Sequence, residues 1–228
     1  MTLTALARPA SPSSPATPQV SPEPLNGRSV RLYGDGTLAR HIGHALLDHG
    51  VRSLTVVAAS PRQGADPWRG FVHEPSDWLR VRFDRHWVSD RADYDLAIVT
   101  GPGVEPDRAV LADLARCGVP ALIVGVHAGT ARVGPLFAGP ATGCWRCFDL
   151  CLADVVPGWT AMLPELARRP ARPSTTLLRW ATGHVILEAC AFLRFGTCDL
   201  VGCSVSWEDE HPGLQVSEWP RHPGCRGH

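Results

Sequence analysis

The chain has 228 residues, 22 basic against 22 acidic, and 44% hydrophobic content, enough for one sizeable core and without the charge excess that would point to a nucleic acid or a membrane surface. Every basic residue is arginine, which excludes lysine-based phosphate binding and Schiff-base catalysis. Eight cysteines follow no secretory signal, since residues 1–28 lack a continuous apolar stretch, so a reduced, cytoplasmic setting is expected rather than a disulfide framework.

Residues 10–24 carry Pro12, Pro15, Pro18, Pro22 and Pro24 among Ser, Thr and Ala. Such a stretch lacks the apolar mass to fold, so residues 1–27 read as a disordered tail and 28–228 as one domain. From there strand and helix alternate: an apolar strand over 29–33, helical spacing over 38–49, and a second strand over 53–58. A third strand at 95–100, a helix at 106–117 and a fourth strand at 120–126 follow. The alternation predicts right-handed crossovers and a Rossmann-like α/β fold with a mostly parallel sheet. Residues 148–155 read as helical up to the break at Pro157-Gly158. A long helix is expected over 174–195, with Ser174 or Thr175 as N-cap and Gly196 as stop. Strands at 200–207 and 214–219, joined by the acidic turn 208–213, complete the pattern.

Two short hooks carry the chemistry. Cys144-Trp145-Arg146-Cys147 is a CxxC, and Cys225-Arg226-Gly227-His228 is a CxxH that closes the chain. Three thiolates and an imidazole form a full tetrahedral zinc set with no position left for water or substrate, a structural site rather than a catalytic one. Residues 148–224 separate the hooks, so the metal would pin the C-terminus onto the larger domain. The alternative is ordinary thiols and a frayed tail.

At the first strand-to-helix turn, Gly34-Asp35-Gly36-Thr37-Leu38-Ala39 is a GxGxxA fingerprint, with Gly34, Gly36 and Ala39 as candidate nucleotide-binding positions. The other reading is that these small residues serve helix-to-sheet packing. A nucleotide site of this type places a carboxylate near the end of the second strand to hold the ribose, and here that strand ends Val56-Val57-Ala58-Ala59-Ser60. Asp35 would also set a negative charge beside the phosphates.

The chain resembles the ThiF family, relatives of the ubiquitin-activating enzymes, and within it the actinobacterial cyclodehydratase partners of azole-modified peptide biosynthesis. The resemblance rests on residues 30–36, 95–100 and 133–136, on the run from Cys144 to Leu150 with Asp154, Pro157 and Trp159, and on the closing run from Trp219 to Cys225. It covers nearly everything from residue 28 onward. It implies structural zinc on Cys144, Cys147 and Cys225, with His228 standing where the family usually has Cys. Cys151 stands where the family often has His and is an alternative ligand; it is also the one candidate for a cysteine nucleophile, at a helix start beside Arg146.

Active members adenylate the C-terminus of a carrier protein, using a ribose acid, an Arg and Lys on the phosphates and an Asp for magnesium. Here the ribose acid and all lysines are missing, and Thr100-Gly101-Pro102-Gly103-Val104-Glu105 lacks the expected Asp-Asn, so adenylation is expected to be lost and ATP binding is doubtful. The resemblance then implies a degenerate scaffold partner of a YcaO-type enzyme and its precursor peptide, with no catalytic residue of its own and a homodimeric assembly. The small N-terminal peptide-recognition domain usual in that branch has no room before residue 28. The competing readings are a true ATP-dependent adenylyltransferase and, from GxGxxA alone, a nucleotide-dependent oxidoreductase. His41, His44 and His49 do not share one helix face and read as surface residues, and Cys117, Cys190, Cys198 and Cys203 as packed thiols. Trp145, Trp159, Trp180, Trp207 and Trp219 read as core filling.

Overall fold

A computed structural model of the chain describes residues 25, 27–34, 36–57, 80–84, 94–101, 103–127, 129–139, 142–210 and 213–227. The Pro/Ser tail up to residue 24, Asp35, the end of the second strand at 58–60 and His228 lie outside the described residues.

The first half of the sequence pattern forms as read. β1 (Ser29–Tyr33) leads into α1 (Thr37–Asp48), then β2 (Ser53–Val57), β3 (Arg80–Asp84), β4 (Leu96–Val99), α2 (Arg108–Cys117) and β5 (Ala121–His127). β3 was not legible in the sequence, because charged residues alternate along it as Arg80-Val81-Arg82-Phe83-Asp84 at the edge of the sheet. The remaining elements are β6 (Thr130–Phe137), α3 (Trp145–Val155), α4 (Trp159–Leu166), α5 (Thr175–Phe195), β7 (Cys203–Glu208) and β8 (Leu214–Glu218).

All eight strands join one sheet in the order β3-β2-β1-β4-β5-β6-β7-β8. The pairings from β3 to β5 are parallel, whereas β5-β6, β6-β7 and β7-β8 are antiparallel. The expectation of a mostly parallel sheet therefore holds for one half, and an antiparallel wing completes the other. β6 was missed because Gly134 and Pro135 interrupt its apolar run, and Pro cannot donate to a ladder. Gly134 is required there: its φ is +92°, and a Cβ would lie 2.5 Å from the carbonyl oxygen of Cys203 on β7.

Alternating side chains feed two cores. Val30, Leu32, Leu96, Ile98, Leu122 and Val124 point toward α1 and α5, where Ile42, Leu46, Leu177, Ala181 and Val185 meet them. Tyr33, Ala97, Val99, Ala121 and Ile123 face Leu111, Leu114 and Phe148 on α2 and α3. Burial on both faces explains the unbroken apolar runs of β4 and of Ala121–Val124 in β5. Leu25 joins the first core at 3% exposure, three residues before the boundary read at residue 28.

The helix ends follow sequence logic. The Ser174 hydroxyl accepts the Leu177 N–H at 3.2 Å to start α5, and Gly196 ends it at φ +72°. α2 is capped by Asp107, which accepts the Ala109 N–H at 2.9 Å. Of the tryptophans read as core filling, Trp159 is buried, and Trp145, Trp180, Trp207 and Trp219 are half-buried against the cores. Of the cysteines read as packed, Cys190 is buried while Cys117, Cys198 and Cys203 are partly exposed. His41 and His44 on α1, and His49 at its C-cap, are exposed.

Candidate functional site

α3 begins at Trp145, inside the first hook, rather than at residue 148. Cys144 is the extended N-cap and Cys147 lies in the first helical turn, with the Phe148 N–H donating to the Cys144 carbonyl at 3.0 Å. That turn directs both thiols to one side. The terminal hook reaches them across the domain: a Cβ on Gly143 would lie 2.6 Å from the Trp219 carbonyl oxygen, so only glycine admits this approach. Trp219 then fixes the segment, stacking edge-on against Phe148 at 4.6 Å and donating its indole N–H to Ser204 at 2.8 Å.

The result gathers three of the expected ligands. Cys144 Sγ lies 3.7 Å from Cys225 Sγ and 4.0 Å from Cys147 Sγ, and all three sulfurs fall within 4.8 Å of one another. A tetrahedral ion with metal–sulfur bonds of about 2.3 Å, the length for zinc, separates its sulfurs by about 3.8 Å, so the donor set and its spacing suit a metal ion. Gly227 folds over the thiols, close to both Cys225 and Cys144. His228 follows it but lies outside the described residues. Burial, and the neighbouring thiols of Cys225 and Cys147, raise the Cys144 pKa above its ordinary value despite backbone hydrogen bonds that lower it. A bound cation would act in the opposite direction.

Cys151 stays out of the cluster and contacts the Pro220 carbonyl at 4.0 Å. Burial, Cys147 and Asp154 push its thiol up, which is contrary to an activated nucleophile.

The strand order reverses between β1 and β4, and the Gly34–Gly36 turn sits at that switch point. Gly34 has φ +137° and its N–H donates to the Val57 carbonyl at 3.0 Å. A side chain there would collide with the Thr100 hydroxyl, which itself donates to the Tyr33 carbonyl at 2.8 Å. Ala39 is fully buried beside Gly34. These contacts give Gly34 and Ala39 a packing role that needs no nucleotide. Gly36, the extended N-cap of α1, supplies no side-chain hydrogen bond to the first N–H groups of that helix.

A buried ion network next to this turn was not legible in the sequence. Arg108, in the first turn of α2, donates to Asp149 of α3 from Nε at 2.9 Å and from Nη2 at 2.7 Å. Nη2 also reaches Glu105 at 3.1 Å, and the other Glu105 oxygen accepts from Arg132 of β6 at 2.5 Å. Trp159 of α4 donates its indole N–H to Asp149 at 3.1 Å. Glu105 and Asp149 are 5% and 6% exposed. Burial alone would raise the Glu105 pKa; Arg132 and Arg108 together outweigh it and hold the carboxyl below its ordinary value.

Above the network lies a cleft of about 650 Å³, walled by Trp159, Arg169 and Arg172 and floored by Glu105 and Arg132. The segment after α4 closes one side, where the Leu166 and Arg169 carbonyls accept the Val104 N–H at 2.9 and 3.1 Å. A second pocket of about 190 Å³ shares Glu105, His127 and Arg132 with it and carries the hydroxyls of Ser204, Ser206 and Ser217.

No family model matches the chain, and no curated protein matches it in sequence. Solved structures match its fold. E. coli MccB crystallised with AMPCPP and MccA superposes with a TM-score of 0.66 at 14% identity, over 89% of this chain and 66% of that one. The microcin C7 biosynthetic enzyme MccB in complex with N-formylated MccA gives 0.66 at 15%, over 89% and 67%. PaaA gives 0.61 at 15%, over 85% and 73%. The chain thus spans about two thirds of the length of MccB. The likeness establishes a ThiF-like fold, as expected from the sequence. Among the described residues no helix is long and apolar enough to cross a membrane.

Proposed function

We propose that this chain is a non-adenylating, ThiF-fold scaffold subunit of a peptide-maturation system, acting beside a YcaO-type cyclodehydratase that supplies the ATP chemistry. The observation that carries this reading is the state of the two buried carboxylates near the switch point. A ThiF-type adenylation centre needs a carboxylate free for magnesium, whereas Glu105 and Asp149 are each committed to arginine. With no lysine in the chain to reach the phosphates, phosphoryl chemistry also lacks its usual cation. The role in peptide maturation is supported by the fold shared with MccB, whose structures contain MccA.

In this reading Cys144, Cys147, Cys225 and His228 hold a zinc ion. Zinc supplies a closed four-ligand staple, and its binding energy becomes folding energy. The assembly is a cytoplasmic homodimer that engages the cyclodehydratase and the precursor peptide.

The test is co-purification of tagged full-length chain from its own cells. Recovery of a YcaO-type enzyme or a precursor peptide supports the scaffold; recovery of neither, with the chain folded and metal-loaded, counts against it.

A second reading, adenylation of a peptide or carrier C-terminus, is favoured by the glycine N-cap of α1 at the switch point and by the MccB structure holding AMPCPP. ATP–pyrophosphate exchange with candidate peptides distinguishes the two.

A further inference from the structure

Trp180, His184, Leu187, Ala191 and Phe195 follow one another along α5 at steps of four, three, four and four, so the helix sets them in one line. Leu187 is 65% and Phe195 76% exposed, and the other three are partly exposed. At one end of the line Trp180 stacks against His184 at 4.4 Å and lies 6.5 Å from Trp207 of β7. Sheet register sets Leu214 opposite Trp207 and Val216 opposite Val205, so the apolar surface continues onto β8, where Leu214 and Val216 are exposed. A contiguous apolar strip of this kind marks a contact surface, as scattered apolar residues do not. Gly183 lies in the same strip, between Trp180 and Leu187. Glycine inside a helix is less stable than alanine, and a Cβ here would meet nothing within 4 Å, so no contact among the described residues calls for it. It leaves the helix backbone bare at a point where a ring can approach closely.

The sequence before Leu25 holds a segment that matches the strip. Pro9, Pro12, Pro15 and Pro18 recur every third residue. A polyproline helix has three residues per turn, so these four rings fall on one edge, about 9 Å apart and about 28 Å from first to last. The strip on α5 runs about 22 Å from Trp180 to Phe195, with Leu187 about 10 Å along it. Aromatic-lined grooves take proline rings at this spacing, and a polyproline helix has little conformational entropy left to lose.

The fold also brings the two within reach. Leu25 packs in the first core, on the sheet face that carries α5, Trp180 and Trp207. It precedes β1, at the end of the sheet where the parallel strands start. The C-terminal end of α5 lies at that same end: Leu200, which follows α5, accepts the Leu136 N–H at 2.7 Å, next to Phe137, which pairs with Ala121 at the start of β5. α5 packs over β5 and β6, two to three strands from β1, a lateral distance of about 10–14 Å. The seven residues from Pro18 to Leu25 span about 22 Å when extended as polyproline, which covers that distance.

We infer that residues 9–18 dock as a polyproline helix along the α5 strip of their own chain, running parallel to α5 with Pro18 beside Phe195 and the earlier rings over Leu187, Gly183 and Trp180. A tether of this length holds the segment at an effective concentration on the order of mM, so a contact of modest affinity stays mostly closed. A second copy of the chain meeting strip to strip is the rival occupant, and it leaves the three-residue proline spacing without a role. The inference does not rest on the scaffold reading.

The test uses the full chain labelled with 5-fluorotryptophan, with the Trp180 fluorine resonance assigned by Trp180→Phe. Three forms are compared with the parent: P9S/P12S/P15S/P18S, Leu187→Glu, and the two combined. Leu187 is exposed and the prolines lie outside the core, so all forms should melt with the parent, and melting curves are recorded alongside. The expected result is that the proline variant moves the Trp180 resonance, and that Leu187→Glu speeds proteinase K cleavage within residues 9–18 as much as the proline replacements do. If the segment is closed about nine-tenths of the time, each change should speed that cleavage roughly tenfold, because cleavage follows the open population. Combining them should add nothing further. Gly183→Leu, which fills the bare stretch of helix, should expose the segment in the same way. The inference is overturned if the proline variant leaves the Trp180 resonance unmoved, or if Leu187→Glu leaves the cleavage rate unchanged. It is also overturned if sedimentation equilibrium shows that Leu187→Glu halves the mass while the proline variant keeps it, which assigns the strip to a second copy. Neither a precursor peptide nor a partner enzyme enters these measurements, so their failure is distinct from failure of the scaffold reading, which co-purification tests.

Discussion

Arg108 clamps Asp149 through two nitrogens, Nε at 2.9 Å and Nη2 at 2.7 Å, and so ties the start of α2 to the first turns of α3. The pair also sets where the first metal hook sits, because Asp149 follows Cys147 by two residues on the same helix. Both side chains are nearly buried, at 13% and 9% exposure, and each has further partners. Removing one member leaves an uncompensated charge in a poorly solvated place. Asp149→Ala is expected to destabilise the fold by about 3–5 kcal/mol in denaturant unfolding. A change of less than about 1 kcal/mol, the size of a surface pair, would show that the network is solvated.

The Glu105 carboxyl gives the network a pH signature. Burial raises its pKa, but Arg132 and Arg108 together lower it by more, and the net value lies below the ordinary 4.5. A carboxylate depressed in the folded state contributes stability that is fully present above its unfolded pKa and is lost as pH falls through the folded value. Unfolding midpoints of the parent should therefore drop on acidification below about pH 4.5, and Glu105→Gln should be less stable at neutral pH but flatter across that window. Parallel acid profiles for parent and variant would remove Glu105 from the acid response.

Metal loss should unfold the staple. Cys225→Ser removes one of three gathered thiols and is expected to lower bound zinc per chain, measured by elemental analysis, and to cost several kcal/mol, a fall in Tm of roughly 10 °C. Chelator treatment of the parent should reproduce the shift. Equal melting of parent, variant and chelated protein would leave the thiols as packing groups.

Gly143→Ala probes the same staple without touching a ligand. The added methyl would press on the carbonyl oxygens of Trp219 and Pro220, at 2.6 and 2.9 Å, and push the terminal hook away from the first. The expected outcome is a loss of about 1–3 kcal/mol together with weaker zinc retention in a competition assay with a colorimetric chelator. Unaltered retention would mean that Trp219 and Phe148 hold the hook alone.

What the sequence revealed and what it hid have physical causes. β1, α1, β2, α2, β5 and α5 were legible because apolar periodicity and caps such as Ser174 and Gly196 act locally. The thiol hooks were legible because ligand chemistry demands Cys at fixed spacing, and the fold brings Cys144, Cys147 and Cys225 together. β6 and α4 were missed, one interrupted by Gly134-Pro135 and the other carrying Pro164 inside a short helix. The network was hidden for another reason. Glu105 and Arg108 look like surface charges in sequence, and Arg132 and Asp149 become their partners only through long-range packing. Arg169 and Arg172 likewise reach the cleft only when the segment after α4 folds back against Val104.

The most direct test of the central claim, a ThiF fold that no longer adenylates, is isothermal titration of magnesium ATP into purified chain whose zinc has been quantified. The expected result is no saturable heat from protein that carries one zinc per chain. Saturable micromolar binding would contradict the scaffold reading, return the Gly34–Gly36 turn to service as a nucleotide site and make adenylation the leading function.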